Sequence, residues 1–238
     1  MKPINAQTLP LFAGCSGDVC SRPIRGIVVD FHGLGFQDMP QEPSAFARRC
    51  AEKGLLYLLP YDNPWSWMND TAVRMVDEMV EAAREKYALP DDIPVVACGG
   101  SMGGLSCLIY TLRAKRTPAA CAANCPVCDL PYHYTERPDL PRTIYSAFAH
   151  YPGDFMEAVR TASPLHQAET MPDIPYLIVH GDADTAVNKQ QHSDRFVERL
   201  KKTHDVTYVE VPGMRHCDLQ GDAAEQYYGF ITSDRWFG

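Results

Sequence analysis

Val95-Val96-Ala97-Cys98-Gly99-Gly100-Ser101-Met102-Gly103-Gly104-Leu105 begins as an apolar, β-branched run, breaks into glycine around one serine, and resumes as an apolar helix. This is G-x-S-x-G between a predicted strand and a predicted helix, the context in which the motif carries chemistry. A serine forced onto so sharp a turn projects its hydroxyl clear of the sheet. Side chains at Gly99 and Gly103 would clash with the adjoining backbone. The helix that follows aims its first N–H groups at any oxyanion forming beside Ser101. A glycine-rich packing turn or a phosphate loop would also use glycine here, but neither requires the central serine.

Outward from this turn, short apolar runs alternate with amphipathic ones. Residues 24–31, 55–60, 93–98, 119–124, 175–180 and 206–211 read as strands, most of them apolar enough to be covered on both faces. Helices are expected over 43–53, 70–87, 102–115, 188–202 and 223–231. The clearest is 70–87, where Ala72, Met75, Val76, Met79 and Ala83 recur with helical spacing. Asn188 is a candidate N-cap for 188–202. Such alternation predicts an α/β fold with a doubly wound, mainly parallel sheet. No repeat, low-complexity tract or linker interrupts residues 1–238, so one domain is expected. A Pro- and Tyr-rich insertion at about 126–160 is placed to act as a small lid over a site.

Composition narrows the function. The chain has 238 residues, 45% of them hydrophobic, and a formal net charge of −8. It can bury a full core without metal or disulfide staples. An acidic balance argues against nucleic-acid and anionic-membrane partners, and no apolar run approaches a membrane span. Nine cysteines are an odd number in a chain far longer than a stapled secreted domain. Cys98, Cys107 and Cys121 sit in apolar runs, as small hydrophobes do. The polar N-terminal residues show no signal-peptide core. A reducing, cytoplasmic setting is therefore expected.

A serine nucleophile needs a base, and the base needs an orienting acid. After the strand at 175–180 comes His180-Gly181-Asp182-Ala183-Asp184, and after the last strand Gly213-Met214-Arg215-His216-Cys217-Asp218. Both loops follow strand C-termini, the edge where open α/β sheets bind ligands. The order Ser, acid, His suits a hydrolase of the strand–turn–helix type, with Asp182 or Asp184 as the acid.

Here the chain resembles the α/β-hydrolases, nearest to the prolyl-oligopeptidase and dienelactone-hydrolase group. The resemblance spans about residues 24–231 and rests on Asp30-Phe31-His32-Gly33-Leu34-Gly35, the turn at Ser101, Ala162-Ser163-Pro164-Leu165, His180-Gly181-Asp182-Ala183-Asp184 and the His216 loop. It implies Asp184 as the triad acid, with Asp182 a turn residue, and thus Ser101, Asp184 and His216 as the catalytic set. It departs in two places. Dienelactone hydrolase has cysteine where this chain has Ser101, and the propeller of prolyl oligopeptidases has no room in 238 residues. Backbone N–H groups of Met102 and, by family geometry, Leu34 (Gly35 second) are expected to form the oxyanion hole. His32 is expected to hydrogen-bond its own turn.

The implied activity is hydrolysis of a carboxylic ester of a small substrate, with a short peptide or amide next and a non-catalytic binding protein as the alternative outside enzymes. No cofactor or metal is implied, and the oligomeric state is open. Trp65 and Trp67, beyond the strand at 55–60, are expected in a pocket wall, with simple packing as the alternative. Cys121, Cys125, Cys128 and His133 have a zinc-like spacing but only one C-x-x-C, so a metal site is not expected. His133, His150, His166, His192 and His204 read as surface or loop residues.

Overall fold

A computed structural model describes residues 3–238. Among these, the apolar runs form one seven-stranded sheet in the order β1-β3-β2-β4-β5-β6-β7. The strands are β1 (Ala13–Cys15), β2 (Gly26–Phe31), β3 (Leu55–Pro60), β4 (Val95–Gly100), β5 (Ala120–Asn124), β6 (Tyr176–Gly181) and β7 (Val206–Val211). From β3 to β7 all neighbours are parallel. Only β1 is antiparallel, pairing Ala13 with Pro60 at the edge. β1 carries no sequence signal, because three residues are too few to show alternation; pairing to β3 makes it a strand.

The helices are α1 (Ala45–Glu52), α2 (Asp70–Lys86), α3 (Met102–Arg113), α4 (Leu130–Glu136), α5 (Leu140–Phe148), α6 (Phe155–Thr161), α7 (Pro164–Gln167), α8 (Arg195–Leu200), α9 (Gly221–Ile231) and α10 (Asp234–Phe237). α2 starts where Asn69 Oδ1 accepts N–H bonds from Thr71 (3.1 Å) and Ala72 (3.0 Å). Arg84 and Lys86 in its last turn suit the negative end of the helix dipole. Ser44 caps α1 in the same way, accepting from Ala47 N. The segment 126–160 is helical, as α4, α5 and α6 between β5 and β6; Pro131 and Pro141 stand in the first turns of α4 and α5, where a missing N–H costs nothing.

Alternation along the strands feeds two apolar layers. On β2, Ile27, Val29 and Phe31 face the layer covered by α2, α3 and α5, whereas Val28 faces the layer covered by α1 and α9. No described helix is long and apolar enough to cross a membrane.

The helix expected over 188–202 is broken in two. Gln190–Asp194 form a π-helical turn that runs into α8. Asn188 Oδ1 does cap its start, accepting from Gln191 N at 3.1 Å. The wider turn lets His192 and Ser193, consecutive residues, both be fully buried. Such turns gather at functional sites because they re-aim side chains that a regular helix would splay apart.

Candidate active site

β4 delivers the serine. Ser101 has φ 60° and ψ −123°, a conformation costly for a side-chain-bearing residue. The surroundings hold it there: Ser101 N donates to Asn124 O (3.0 Å), and Ser101 O accepts from Leu105 N (3.2 Å) and Val127 N (3.3 Å). The glycines are obligatory as expected. A Cβ on Gly103 would stand 2.0 Å from Phe31 O, and one on Gly99 would stand 2.5 Å from Gly103 O. Helix α3 therefore sits almost on the backbone of β2, and the hydroxyl is lifted off the sheet edge.

Folding brings the three expected residues together. Ser101 Oγ lies 2.9 Å from His216 Nε2, and His216 Nδ1 lies 2.7 Å from Asp184 Oδ2. Nδ1–H donates to the carboxylate, which leaves the Nε2 lone pair for the serine proton. Asp184 Oδ1 accepts from Ala186 N (2.8 Å) and Val187 N (3.0 Å). Burial pushes the Asp184 carboxyl up, but bonds from His180, His216 and the Val187 N–H outweigh it and hold the group well below the usual carboxylate range. Burial likewise pulls His216 down, yet the Asp184 carboxylate and the Cys125 sulfur raise it to about 9. Asp182 is a turn residue: its Oδ1 accepts from Gly213 N at 2.6 Å and ties the two loops.

His180 has a part that spacing alone did not reveal. It is fully buried, with Nε2 3.2 Å from both Asp184 Oδ2 and Val187 O, and Nδ1 2.6 Å from Ser193 Oγ. Nε2–H thus donates toward two acceptors, and the π turn supplies Ser193 behind it.

The loop after β2 is clamped by His32. Nδ1–H donates to Gly33 O at 2.9 Å, and Nε2 stands 2.7 Å from Asp62 Oδ1. Burial lowers this histidine, but Asp62 and the Gly33 carbonyl more than offset it, so its pKa is raised. Because C=O and N–H of one trans peptide point in opposite directions, holding Gly33 O fixes the heading of Leu34 N–H. Gly35 N–H is spent on Pro64 O at 3.0 Å. Leu34, the other donor expected of this loop, borders the cleft over Ser101.

A cleft of about 500 Å³ opens over Ser101, lined by Leu34, Trp67, His133, Arg137, Val187 and His216 among others. The two tryptophans part company here. Trp67 lines this cleft, with its indole N–H donating to Thr143 Oγ1 (3.1 Å) on α5. Trp65 does not: it lines a separate depression with Asn69, Ser146 and His150. Positive φ at Asn63, Trp67 and Met68 makes this stretch a turn rather than extended chain, so the alternation by which residues two apart share a face does not hold.

His133 and His192 are not surface residues. Both are buried, and both meet Glu136 Oε2, at 2.6 and 2.9 Å. His192 Nδ1 accepts from Cys128 N and Asp129 N, 3.0 Å each, so its Nε2–H donates to Glu136. Burial pushes the Glu136 carboxyl up, but the two imidazoles hold it well below its ordinary range. The spacing of His133 and Glu136 on α4 was the available signal; the third member comes from the π turn. The zinc-like spacing does not assemble. Cys121 is buried in the β5 layer, and among the described residues Cys121, Cys125, Cys128 and His133 do not come together as a metal-ligand group. All nine thiols are free.

Comparison with known proteins bears on the family and the fold. The profile of the prolyl oligopeptidase family matches residues 66–237. No curated protein matches the chain in sequence. Among solved structures, an acylaminoacyl peptidase from Pyrococcus horikoshii superposes with a TM-score of 0.72 at 15% identity, over 90% of this chain and 38% of that one. A puromycin-hydrolyzing peptidase from Mycobacterium tuberculosis gives 0.68 at 18%, over 90% and 35%. Est1E from Butyrivibrio proteoclasticus gives 0.65 at 17%, over 94% and 92%. The chain thus spans only about a third of the length of those peptidases. At such identities the likeness establishes the fold, that of the α/β-hydrolases.

Proposed function

Since this chain belongs to the prolyl oligopeptidase family, we propose that it is a serine hydrolase that cleaves a carboxylic ester of a small substrate through an acyl-enzyme on Ser101. One observation carries the reading: the unbroken chain from Ser101 Oγ to His216 Nε2 at 2.9 Å and from His216 Nδ1 to Asp184 Oδ2 at 2.7 Å. Ser101 Oγ attacks the acyl carbon while its proton passes to His216 Nε2. Asp184 holds the imidazole in the required tautomer and stabilises the cation. The oxyanion takes N–H bonds from Leu34 and Met102. On collapse, Nε2–H protonates the departing alcohol. Water then gives a proton to His216 and attacks the acyl carbon; on collapse Nε2–H passes that proton to Ser101 Oγ, releasing the acid and free enzyme. These residues and water account for every proton and electron pair.

An ester is favoured because a cleft of about 500 Å³ suits a small molecule, and because solved esterases such as Est1E match the chain over nearly their whole length. A short peptide is the second reading, supported by the family and by the peptidases among the neighbours. We place the lid role on α4 to α6, whose His133 and Arg137 reach the cleft. We also keep a cytoplasmic setting in the proposal, since nine free thiols suit a reducing compartment.

The test is fluorophosphonate labelling of wild type and Ser101→Ala, followed by a panel of esters and matched peptides. Labelling of the wild type alone, with ester turnover far above peptide turnover, is the expected result. A folded wild type that stays unlabelled removes the proposal; faster peptide turnover moves it to the second reading.

A further inference from the structure

Beside His216 stand two cysteines that acyl transfer does not use. The donor atoms of Cys125, Cys217 and His216 all lie within 4.8 Å of one another. Cys217 Sγ is 3.9 Å from His216 Nε2, and Cys217 N–H donates to Cys125 Sγ at 3.4 Å. The two cysteines come from different loops, one after β5 and one after β7. Both have left-handed backbone, φ 45° at Cys125 and 55° at Cys217. We propose that Cys125, Cys217 and His216 form a site for a soft divalent cation, Zn²⁺ or Cd²⁺, that silences the triad while it is filled.

The donor set selects the ion. Two thiolates and an imidazole suit Zn²⁺ and Cd²⁺, whereas Mg²⁺ and Ca²⁺ take oxygen ligands. Tetrahedral zinc with ordinary Zn–S and Zn–N lengths sets sulfur about 3.6 Å from nitrogen and the two sulfurs about 3.8 Å apart. The observed 3.9 Å between Cys217 Sγ and His216 Nε2 is close to that already, and the 4.8 Å ceiling on the other separations leaves about 1 Å to close. Cys125 is fully buried, but Cys217 borders the Ser101 cleft, which provides an entry path and room for a water as fourth ligand.

Binding balances simply: the metal ion enters, the protons held by the two thiols and by His216 Nε2 leave to solvent, and the freed Nε2 lone pair goes to the metal. That lone pair is the one that would accept the serine proton, so a filled site cannot activate Ser101. The group His133, Glu136 and His192 is also close enough to hold an ion. It is a weaker candidate, because two backbone N–H groups already occupy His192 Nδ1 and its Nε2–H is committed to Glu136.

Inhibition rests on His216 acting as the base, but binding does not, and the experiment separates the two. Cd²⁺ is titrated into wild type, Cys125→Ser, Cys217→Ser and the control Cys20→Ser, with the ultraviolet thiolate-to-cadmium band as readout and circular dichroism to verify folding. In parallel, fluorophosphonate labelling and ester turnover are measured metal-free, with Zn²⁺, with Mg²⁺, and after chelation. One equivalent of Cd²⁺ is expected in wild type and Cys20→Ser, with affinity at least about tenfold weaker in the other two variants. Zn²⁺ should stop labelling, chelator should restore it, and Mg²⁺ should do neither.

A cadmium band undiminished in Cys217→Ser overturns the site, as does a zinc-loaded wild type that labels at the metal-free rate. Should Cys125→Ser fail to fold, Cys217→Ser and Cys217→Ala decide the matter, since Cys217 is partly exposed. If the metal-free wild type does not label, the hydrolase reading fails while the cadmium titration still decides the site.

Discussion

His180 and His216 share one oxygen atom: Asp184 Oδ2 lies 3.2 Å from His180 Nε2 and 2.7 Å from His216 Nδ1. The carboxylate is gripped from the interior by one ring and presents itself to the cleft through the other. Val187 O takes part of the His180 N–H, and Ser193 Oγ braces the far side of that ring. The acid is therefore oriented before any substrate arrives.

Removing that grip should cost turnover more than binding. His180→Gln leaves Ser101, Asp184 and His216 in place but frees the carboxylate to rotate. A fall in kcat of about tenfold or more is expected with KM nearly unchanged, since outer hydrogen-bond partners of a reacting group commonly carry effects of that size. Steady-state kinetics on an activated ester would check it. An unchanged kcat would show that the backbone N–H groups of Ala186 and Val187 alone hold the acid.

The two aspartates of the β6 loop should separate cleanly. Asp184→Asn is expected to cut kcat by about 10⁴-fold, because the amide favours the wrong imidazole tautomer. Asp182→Asn keeps an amide oxygen for Gly213 N and loses only the charge on that acceptor, so it should lower stability by about 1 kcal/mol or less while keeping most activity. Parallel rate and urea-unfolding measurements distinguish them. The reverse ranking would reassign the acid.

The activity–pH profile follows from His216. It must be unprotonated to accept the serine proton, so kcat/KM rises with pH as the imidazolium is lost. An isolated histidine would place that limb at about 6.5, within the weakly acidic to neutral range expected from the sequence, with Asp184 pulling it up and burial pulling it down. In the folded site Asp184 and Cys125 outweigh burial and raise the group to about 9, so the limb should be displaced to alkaline pH. The same shift makes a stability contribution. Held above its unfolded value, the group stabilises the fold fully below about pH 6.5, and that stability is lost as pH climbs toward 9. A rate profile on metal-free enzyme with a limb at or below 6.5 would contradict the assignment.

The turn at Ser101 should tolerate no added methyl. Gly103→Ala places a Cβ 2.0 Å from Phe31 O, a contact that can be relieved only by moving α3 off β2. A loss of about 3 kcal/mol in thermal or urea unfolding, with loss of fluorophosphonate labelling, is expected. Gly33→Ala is the contrasting control, because nothing lies within 4 Å of a Cβ there.

Contiguous residues determined the frame of this protein. The order of the six parallel strands and of the main helices flanking them followed from apolar runs and periodicity, and the serine turn followed from glycines whose absence of a side chain is required within a few residues of Ser101. The loops holding Asp184 and His216 were legible for the same reason: each directly follows an apolar run that had to be a strand. What the three-dimensional packing decided lies between residues far apart in the chain. It buried His180 against Asp184, joined His133 and His192 through Glu136, and set Trp67 but not Trp65 on the cleft. It also spent Gly35 N–H on Pro64 O and brought Cys125 beside Cys217. None of these follows from periodicity, because each depends on which loops the strand order makes neighbours and on how a few left-handed or π-helical residues aim their side chains. Local chemistry chose the kinds of residue at the sheet edge; packing chose which of them meet.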